Sequence, residues 1–292
     1  MKKILKNTYR FILKRLPIKI VVYIENLRAY KRIIDLNNPL YFGEKIQWMK
    51  VYGNLERYGN LVDKYKVREY VSEKIGEKYL IKLIDVYDDV DSIDFDKLPN
   101  KFVLKGNHGS GYNIICSDKE ELNMAKTKKK LNKWIREDYS EIKKEPQYKN
   151  VNRKIVCEEF LNDTNGQLLD YKFFCFDGKA EFIEVDFDRF GKHKMNFYDL
   201  NWNLMNIKKG KYDICDSNLQ KPSNLKEMID IANRLSQDLP FARIDLYLVD
   251  GKIYFGEITL TPAGGVTGFN PIEKDIEYSN KIILEKYKEK VV

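Results

Sequence analysis

Apolar and polar positions recur along this chain with two different periods, and the change between them divides it. Leu5, Tyr9, Ile12 and Leu16, then, after Pro17, Ile20, Tyr23, Ile24 and Leu27, follow helical spacing and predict two amphipathic helices. Residues 38–80 keep that spacing, with breaks at Asn38-Pro39, Gly53 and Gly59. Val62–Ile75 is the clearest segment: Val62, Val67, Val71 and Ile75 share a face, and Asp63 stands near its start, as a helix N-terminus prefers. From Lys101 the pattern turns β-like. Lys101–Lys105 predicts a strand that stops at Gly106, with Ile114–Cys116 as its hairpin partner. Residues 119–140 return to helical spacing, with Leu122, Ala125, Leu131, Trp134 and Ile135 as the inner face.

The later half alternates strands and turns. Ile155–Phe160 predicts a strand, and Tyr171–Phe176 with Lys179–Asp186 a hairpin about Asp177-Gly178. Leu225–Leu235 predicts a helix, and Arg243–Val249 with Lys252–Thr259 a second Asp-Gly hairpin about Asp250-Gly251. The fold class is therefore α+β, with mostly antiparallel sheets in the later half.

Composition narrows the function classes. The chain has 292 residues, 43% hydrophobic and 33% charged, which describes a folded soluble protein with no run of 18 apolar residues to span a membrane. Cys116, Cys157, Cys175 and Cys215 form no CxxC pair, which suits a reducing cytoplasm. Two histidines, His108 and His193, exclude a multi-histidine metal centre. The net charge of +8 is local: residues 1–32 hold ten basic residues and one acid, Glu25, and the rest is near neutral. That distribution argues against a nucleic-acid partner. It leaves two readings for the N-terminus: a basic helix on the anionic inner face of a membrane, or a solvated helix packed on the body.

The chemistry-bearing residues come in a fixed order. Lys105 ends a strand and is followed by His108, Gly109, Ser110 and Gly111, a loop in which backbone N–H groups can approach phosphate oxygens. It is neither a Walker A loop nor a dinucleotide fingerprint. Glu158-Glu159 ends an apolar strand, where carboxylates can meet adenine or ribose. Asp170 and Lys172 share a strand face, as do Arg243 with Asp245 and Glu257 with Thr259. Two carboxylates buried on one face are costly unless a cation joins them, and magnesium takes carboxylate and phosphate oxygens. Taken singly, each motif has a plainer reading as a turn or a charged strand. It is the ordered set that fits a nucleotide.

The stretches FGEKIQWMKVY (42–52), DKYKVREYV (63–71), KLPNKFVLKGNHGSGYNIIC (97–116), DYKFFCFDGK (170–179), NFYDLNWN (196–203) and FARIDLYLVDGKIYFGEITLTPAGG (241–265) resemble the ATP-grasp superfamily, in its TupA-like branch named for teichuronopeptide biosynthesis. The resemblance covers about residues 37–270. It implies an ATP-grasp fold of two α+β lobes clasping ATP, with a helical, substrate-side region over 35–100, preceded by the basic helices that spacing and charge predict over 1–34. A small lid subdomain would then cover 101–165, and a C-terminal subdomain with the magnesium site 166–292. It also implies roles. Lys105 meets the nucleotide near its α-phosphate, Gly109–Gly111 close over the phosphates, and Glu158 and Glu159 read adenine and ribose. Lys172 contacts phosphate, Arg243 steadies the transferring phosphoryl group, and Asp245 and Glu257 hold magnesium. Thr259 stands where many relatives carry a metal-binding asparagine.

The implied activity is ATP-dependent joining of a carboxylate to an amine through an acyl phosphate, with a uronic acid of a cell-surface polysaccharide as the expected carboxylate. Arg189, His193 and Lys194, in a polar segment after the first hairpin, are candidates for meeting an acidic acceptor. Two alternatives stand beside this: a glycosyltransferase, for which Asp186-Phe187-Asp188 has the letters of a DxD motif, and a non-catalytic ATP-binding module.

Overall fold

The computed structural model describes residues 12–162, 168–187, 193–215 and 219–288. Helices lead, among them α1 (Ile18–Tyr30), α2 (Phe42–Tyr52), the single turn α3 (Gly59–Val62) and α4 (Val67–Ile75). A small antiparallel sheet of order β1-β4-β2-β3 follows, from β1 (Leu83–Tyr87), β2 (Phe102–Gly106), β3 (Asn113–Cys116) and β4 (Ile155–Glu159). Helices α5 (Met124–Arg136) and α6 (Tyr139–Lys143) lie between β3 and β4 in sequence.

The large sheet has the order β11-β10-β5-β6-β7-β8. Its strands are β5 (Asp170–Phe176), β6 (Lys179–Phe187), β7 (Lys194–Tyr198), β8 (Leu204–Met205), β10 (Phe241–Val249) and β11 (Lys252–Thr259). A short ladder joins β9 (Lys208–Lys209) to β12 (Phe269–Asn270), and α7 (Leu225–Ser236), α8 (Ile272–Lys281) and α9 (Glu285–Lys288) complete the elements. The two Asp-Gly hairpins form as expected. Asp177, Gly178, Asp250 and Gly251 all have positive φ, the conformation that a two-residue turn matched to strand twist requires.

Strand alternation gives the large sheet two unlike faces. One face carries Phe173, Ile183, Val185, Ile244 and Leu246, buried under Met228, Ile231 and Leu235 of α7. The other face is divided. Phe174, Phe176, Phe182, Phe197 and Phe241 pack beneath Phe42, Ile46 and Met49 of α2 and Tyr278 of α8. Beyond these aromatics the same face becomes charged, and the candidate site lies there. Leu104, Leu131, Trp134 and Cys157 anchor a third core within the small sheet and α5.

Two helical expectations need correction. The segment expected from Val62 to Ile75 is broken, because Asp63 Oδ1 accepts the backbone N–H groups of Tyr65 (2.9 Å) and Lys66 (3.3 Å) and makes a turn between α3 and α4. Helix α5 starts at an Asn123 cap (Oδ1 to Lys126 N, 2.9 Å) and ends at Arg136, and it buries Thr127, Leu131 and Trp134 while Ala125 is exposed. In α1 the buried residues are Val21, Val22 and Asn26, and the apolar stripe is split: Tyr23 packs on the core, whereas Ile20 (44% exposed) and Leu27 (51% exposed) face outward. The reason is polar: Asn26 Nδ2 donates to Gln47 Oε1 of α2 at 3.1 Å, fixing the rotation of α1. Lys2 to Phe11 lie outside the described residues. No helix among the described residues is long and apolar enough to cross a membrane.

Candidate active site

The hairpin β10–β11 positions the central group. Arg243 lies opposite Thr259 and Asp245 opposite Glu257, all four on the charged face. Arg243 makes a two-pronged contact with Asp245, Nε to Oδ1 and Nη2 to Oδ2 both at 2.7 Å. The same Nη2 donates to Thr259 Oγ1 at 3.1 Å and to Glu257 Oε1 at 3.3 Å, and Thr259 Oγ1 donates to Glu257 Oε1 at 3.1 Å. Burial pushes the Asp245 carboxyl up, against the pull of Arg243. Burial also pushes Glu257 up, but Lys64 and Arg243 together hold it below its ordinary value.

The charged row continues across the sheet. Asp245 faces Lys172 on β5, and Lys172 faces Glu184 on β6. Lys172 Nζ bonds Asp170 at 2.7 Å and also Asp186, and burial, which alone would lower its pKa, is outweighed by Asp170, Asp245 and Asp186. Glu184 is paired with Lys209 at 2.6 Å. His193 Nε2 lies 3.0 Å from Asp186 Oδ1 and its ring packs on Tyr212. Lys194 opens β7 opposite Phe187. Asp170, Lys172 and Asp186 thus form one buried polar cluster, with half-buried His193 at its edge. Arg189, with Asp188, lies outside the described residues.

The small sheet faces this group across a cleft. Lys105 Nζ lies 2.5 Å from Glu158 Oε2, and Arg68 Nη1 lies 3.4 Å from Glu158 Oε1. Glu159 is exposed on the opposite side of its strand and shares none of these contacts. Lys64, Arg68, Lys105 and Glu158 line the cleft together with Phe255 and Gly256 of β11. Lys64 bridges the two sheets: its Nζ donates to Gly109 O at 2.6 Å and lies 3.9 Å from Glu257 Oε2. Asn107 holds the loop in place, since its Nδ2 donates to Asp63 Oδ1 at 2.9 Å. Gly109 sits against the Tyr139 ring, where an added Cβ would come within 2.5 Å of it.

His108 departs from its expected place. It is 2% exposed, and its Nε2 is 3.0 Å from Trp134 O, inside the small lobe. Burial lowers its pKa, so the ring is a neutral packing element turned into the small lobe. Lys64 and Arg68 were missed as individual site residues. Their signal was present, because two cations four positions apart in DKYKVR share one side of the chain.

Beside Arg243 lies a chamber of about 330 Å³, whose inner wall is Arg243, Glu257, Thr259 and Ser110. The turn Pro262–Gly265 floors it and packs on α2, where a Cβ on Gly43 would stand 2.6 Å from Gly265 O. Neither His193 nor Lys194 lines this chamber.

Among the described residues no three His, Cys, Asp or Glu side chains form a metal-ligating group. The donor set at the site is two carboxylates and one hydroxyl. That set suits a magnesium ion shared with phosphate oxygens, because such ions are held by one or two carboxylates rather than by an all-protein cage.

No protein of curated function matches the chain. Several solved structures resemble it. A D-alanine–D-alanine ligase from Bacillus anthracis complexed with ATP shares 16% identity over 78% of this chain and 63% of that chain, with a TM-score of 0.43. A phosphoribosylamine–glycine ligase from Thermotoga maritima shares 16% identity over 80% of this chain and 56% of that one, with a TM-score of 0.46. The ATP-grasp ligase PsnB complexed with minimal precursor, Mg and ADP shares 11% identity over 75% and 58%, with a TM-score of 0.39. The chain therefore spans less than two thirds of the length of each of these proteins. The sequence pattern of the TupA-like ATP-grasp family matches residues 44–286, the whole of both sheets and the cleft between them, and the chain belongs to that family.

Proposed function

We propose that the protein is an ATP-dependent carboxylate–amine ligase. The observation that carries this reading is the juxtaposition of Arg243, Asp245, Glu257 and Thr259 with Lys64 and Lys105 across one cleft. Cations and carboxylates alternate there in the way that phosphoryl transfer requires, and the protein's work is positioning and charge neutralisation.

In the first step a substrate carboxylate oxygen attacks the γ-phosphorus of ATP, the bond to the β-phosphate oxygen breaks, and ADP leaves with that electron pair. In the second an amine nitrogen attacks the acyl carbon, the bond to phosphate breaks, phosphate departs, and the nitrogen gives up a proton as the amide forms. Lys105 and Lys64 neutralise nucleotide phosphates, and Arg243, already aimed at the carboxylate pair, steadies the transferring group. Asp245 and Glu257, with Thr259 as third donor, would hold magnesium, which supplies charge neutralisation between phosphate oxygens. Lys172, opposite Asp245 on β5, favours its charged form against the burial that raises its pKa.

The carboxylate fits a uronic acid of a cell-surface polysaccharide, as the family's link to teichuronopeptide suggests. Contact with an anionic membrane is part of the same reading. It is supported by exposed Ile20, Leu27 and Ile33 beside Lys19, Arg28 and Lys31 on and just after α1.

The test is incubation of the full chain with ATP, magnesium, uronic acids and amines. Amine-dependent release of phosphate with amide formation is the expected result. Sugar transfer from a nucleotide sugar without ATP overturns it.

A further inference from the structure

The chamber beside Arg243 has an outer wall that the chemistry above does not use. Glu25 of α1, Lys50 of α2, Lys143 of α6 and Glu145 just after α6 supply two charges of each sign. None of them lies on the sheet that carries Arg243, Asp245 and Glu257. At about 330 Å³, the chamber is at the small end of the range for ligand sites.

Two of these side chains converge on one point. A Cβ built on Gly264 would lie 3.9 Å from Lys50 Nζ and 3.8 Å from a Glu145 carboxylate oxygen, so a cation and an anion both approach the same small residue. Gly264 has φ +63°, a conformation that keeps a side chain out of this space.

Lys50 is 3% exposed, yet among the described residues its ammonium has only long contacts, 3.3 Å to Gly264 O and 3.4 Å to Glu25 Oε2. An ammonium has three hydrogens to donate, and a buried cation held by contacts of this length gains by accepting a ligand anion. Glu145 is in the complementary position. Withdrawal from water pushes its carboxyl up to about 7, against the pull of Lys50 and Lys143, and a ligand ammonium would reverse that. The rings of Tyr139 and Tyr148, 5.1 Å apart edge to face, give the chamber an apolar side for a carbon skeleton.

We propose that this chamber is the amine-donor site and that the donor is an α-amino acid, its carboxylate held by Lys50 and Lys143 and its amino group by Glu145. This rests on the ligase reading, which requires an amine beside the Arg243 wall. A simple amine would leave Lys50 unanswered, and a neutral sugar would answer neither charge. An α-amino acid carries both groups on one carbon and meets Lys50 and Glu145 together.

The experiment measures ligand-induced rise in Tm of the full chain with magnesium and a non-hydrolysable ATP analogue. The probes are glycine, L-alanine, L-glutamate and L-lysine, compared with methylamine, ethylamine and the N-acetyl forms of the same amino acids. The expected result is stabilisation by at least one free amino acid and by none of the decarboxylated or acetylated compounds. Lys143→Ala, at an exposed position that does not endanger folding, should weaken that binding roughly tenfold, the loss of one charge-assisted bond. Lys50→Met and Glu145→Gln should weaken it at least as much while the ATP analogue still binds.

If the analogue stabilises the protein but simple amines bind as well as amino acids, or all three variants bind amino acids normally, the donor assignment is wrong and the ligase reading stands. If the analogue itself does not bind, the ligase reading falls, and the donor site with it.

Discussion

Glu257 stands opposite Asp245 only because Gly256 is squeezed out of the ladder between β10 and β11. From the turn to Leu246↔Phe255 the register is regular; at the next step Asp245 pairs with Glu257 and Gly256 is left over. Without this bulge Gly256 would face Asp245, and Glu257 would point into the apolar core beside Ile244. A Cβ at 256 would lie 2.9 Å from Asp245 O and 3.1 Å from the Tyr247 ring. Gly256→Val should therefore force the bulge open, lower stability and abolish magnesium-dependent turnover. Deleting Gly256 should instead leave a regular ladder with the two carboxylates still paired and keep part of the activity. Circular dichroism melts and phosphate release on the two variants check this, and equal loss in both would contradict the bulge's role.

Removing either carboxylate's charge should stop the chemistry and spare the fold. Asp245→Asn and Glu257→Gln are expected to lower kcat by about 100-fold or more, as loss of a charge-stabilising group does. Steady-state phosphate release at saturating magnesium measures it.

Arg243 should matter for stability as well as rate. It is 9% exposed and Asp245 2%, so Arg243→Met leaves a buried carboxylate without its two-pronged partner, at a cost of about 3–5 kcal/mol. Arg243→Lys keeps the charge but not the fork, and should lose turnover with a smaller change in the urea midpoint.

The raised pKa of Glu145 sets a direction for pH dependence. Its native carboxyl holds a proton up to about 7, whereas its ordinary value is 4.5, so between those values the folded chain binds more protons than the unfolded one. Stability contributed at this site therefore falls as pH rises through that window. Glu145→Gln should flatten the decline, as urea titrations at a series of pH values would show, and the chain with an amino-acid ligand bound should lose less stability across the window than the free chain.

Vesicle binding tests the outer face of α1. Deleting residues 1–32 would be a poor test, because Val21, Val22 and Asn26 are buried in the body. Ile20→Ser with Leu27→Ser and Ile33→Ser leaves those contacts intact and should reduce sedimentation with anionic vesicles by roughly tenfold, with little change on neutral ones.

Much of this was legible in the sequence where a local rule decides the outcome. The alternation in Asp170–Phe176 correctly puts Asp170, Lys172, Phe174 and Phe176 on one face, and the Asp-Gly turns fix both hairpins. What escaped depends on distant chain. The Gly256 bulge has no signature beyond one glycine. Lys50 reads as an ordinary helical lysine until Gly264, more than two hundred residues later, comes to lie against it. His108 was misread because proximity to a glycine loop suggested a ligand role, while Trp134 on a separate helix captures its ring.

The contact between Gly43 and Gly265 has a practical consequence for exchanging parts between relatives. The sheet hairpin proposed to activate a carboxylate and the helical wall proposed to choose the amine are built from separate stretches, so they invite transplantation. Yet the wall is seated on the floor through two glycines with no room for a methyl group between them. A chimera that imports residues 18–53 and 139–148 should take the donor's preference with it only if residues 262–265 travel too, and three short segments, rather than a whole domain, would then be the unit of altered specificity.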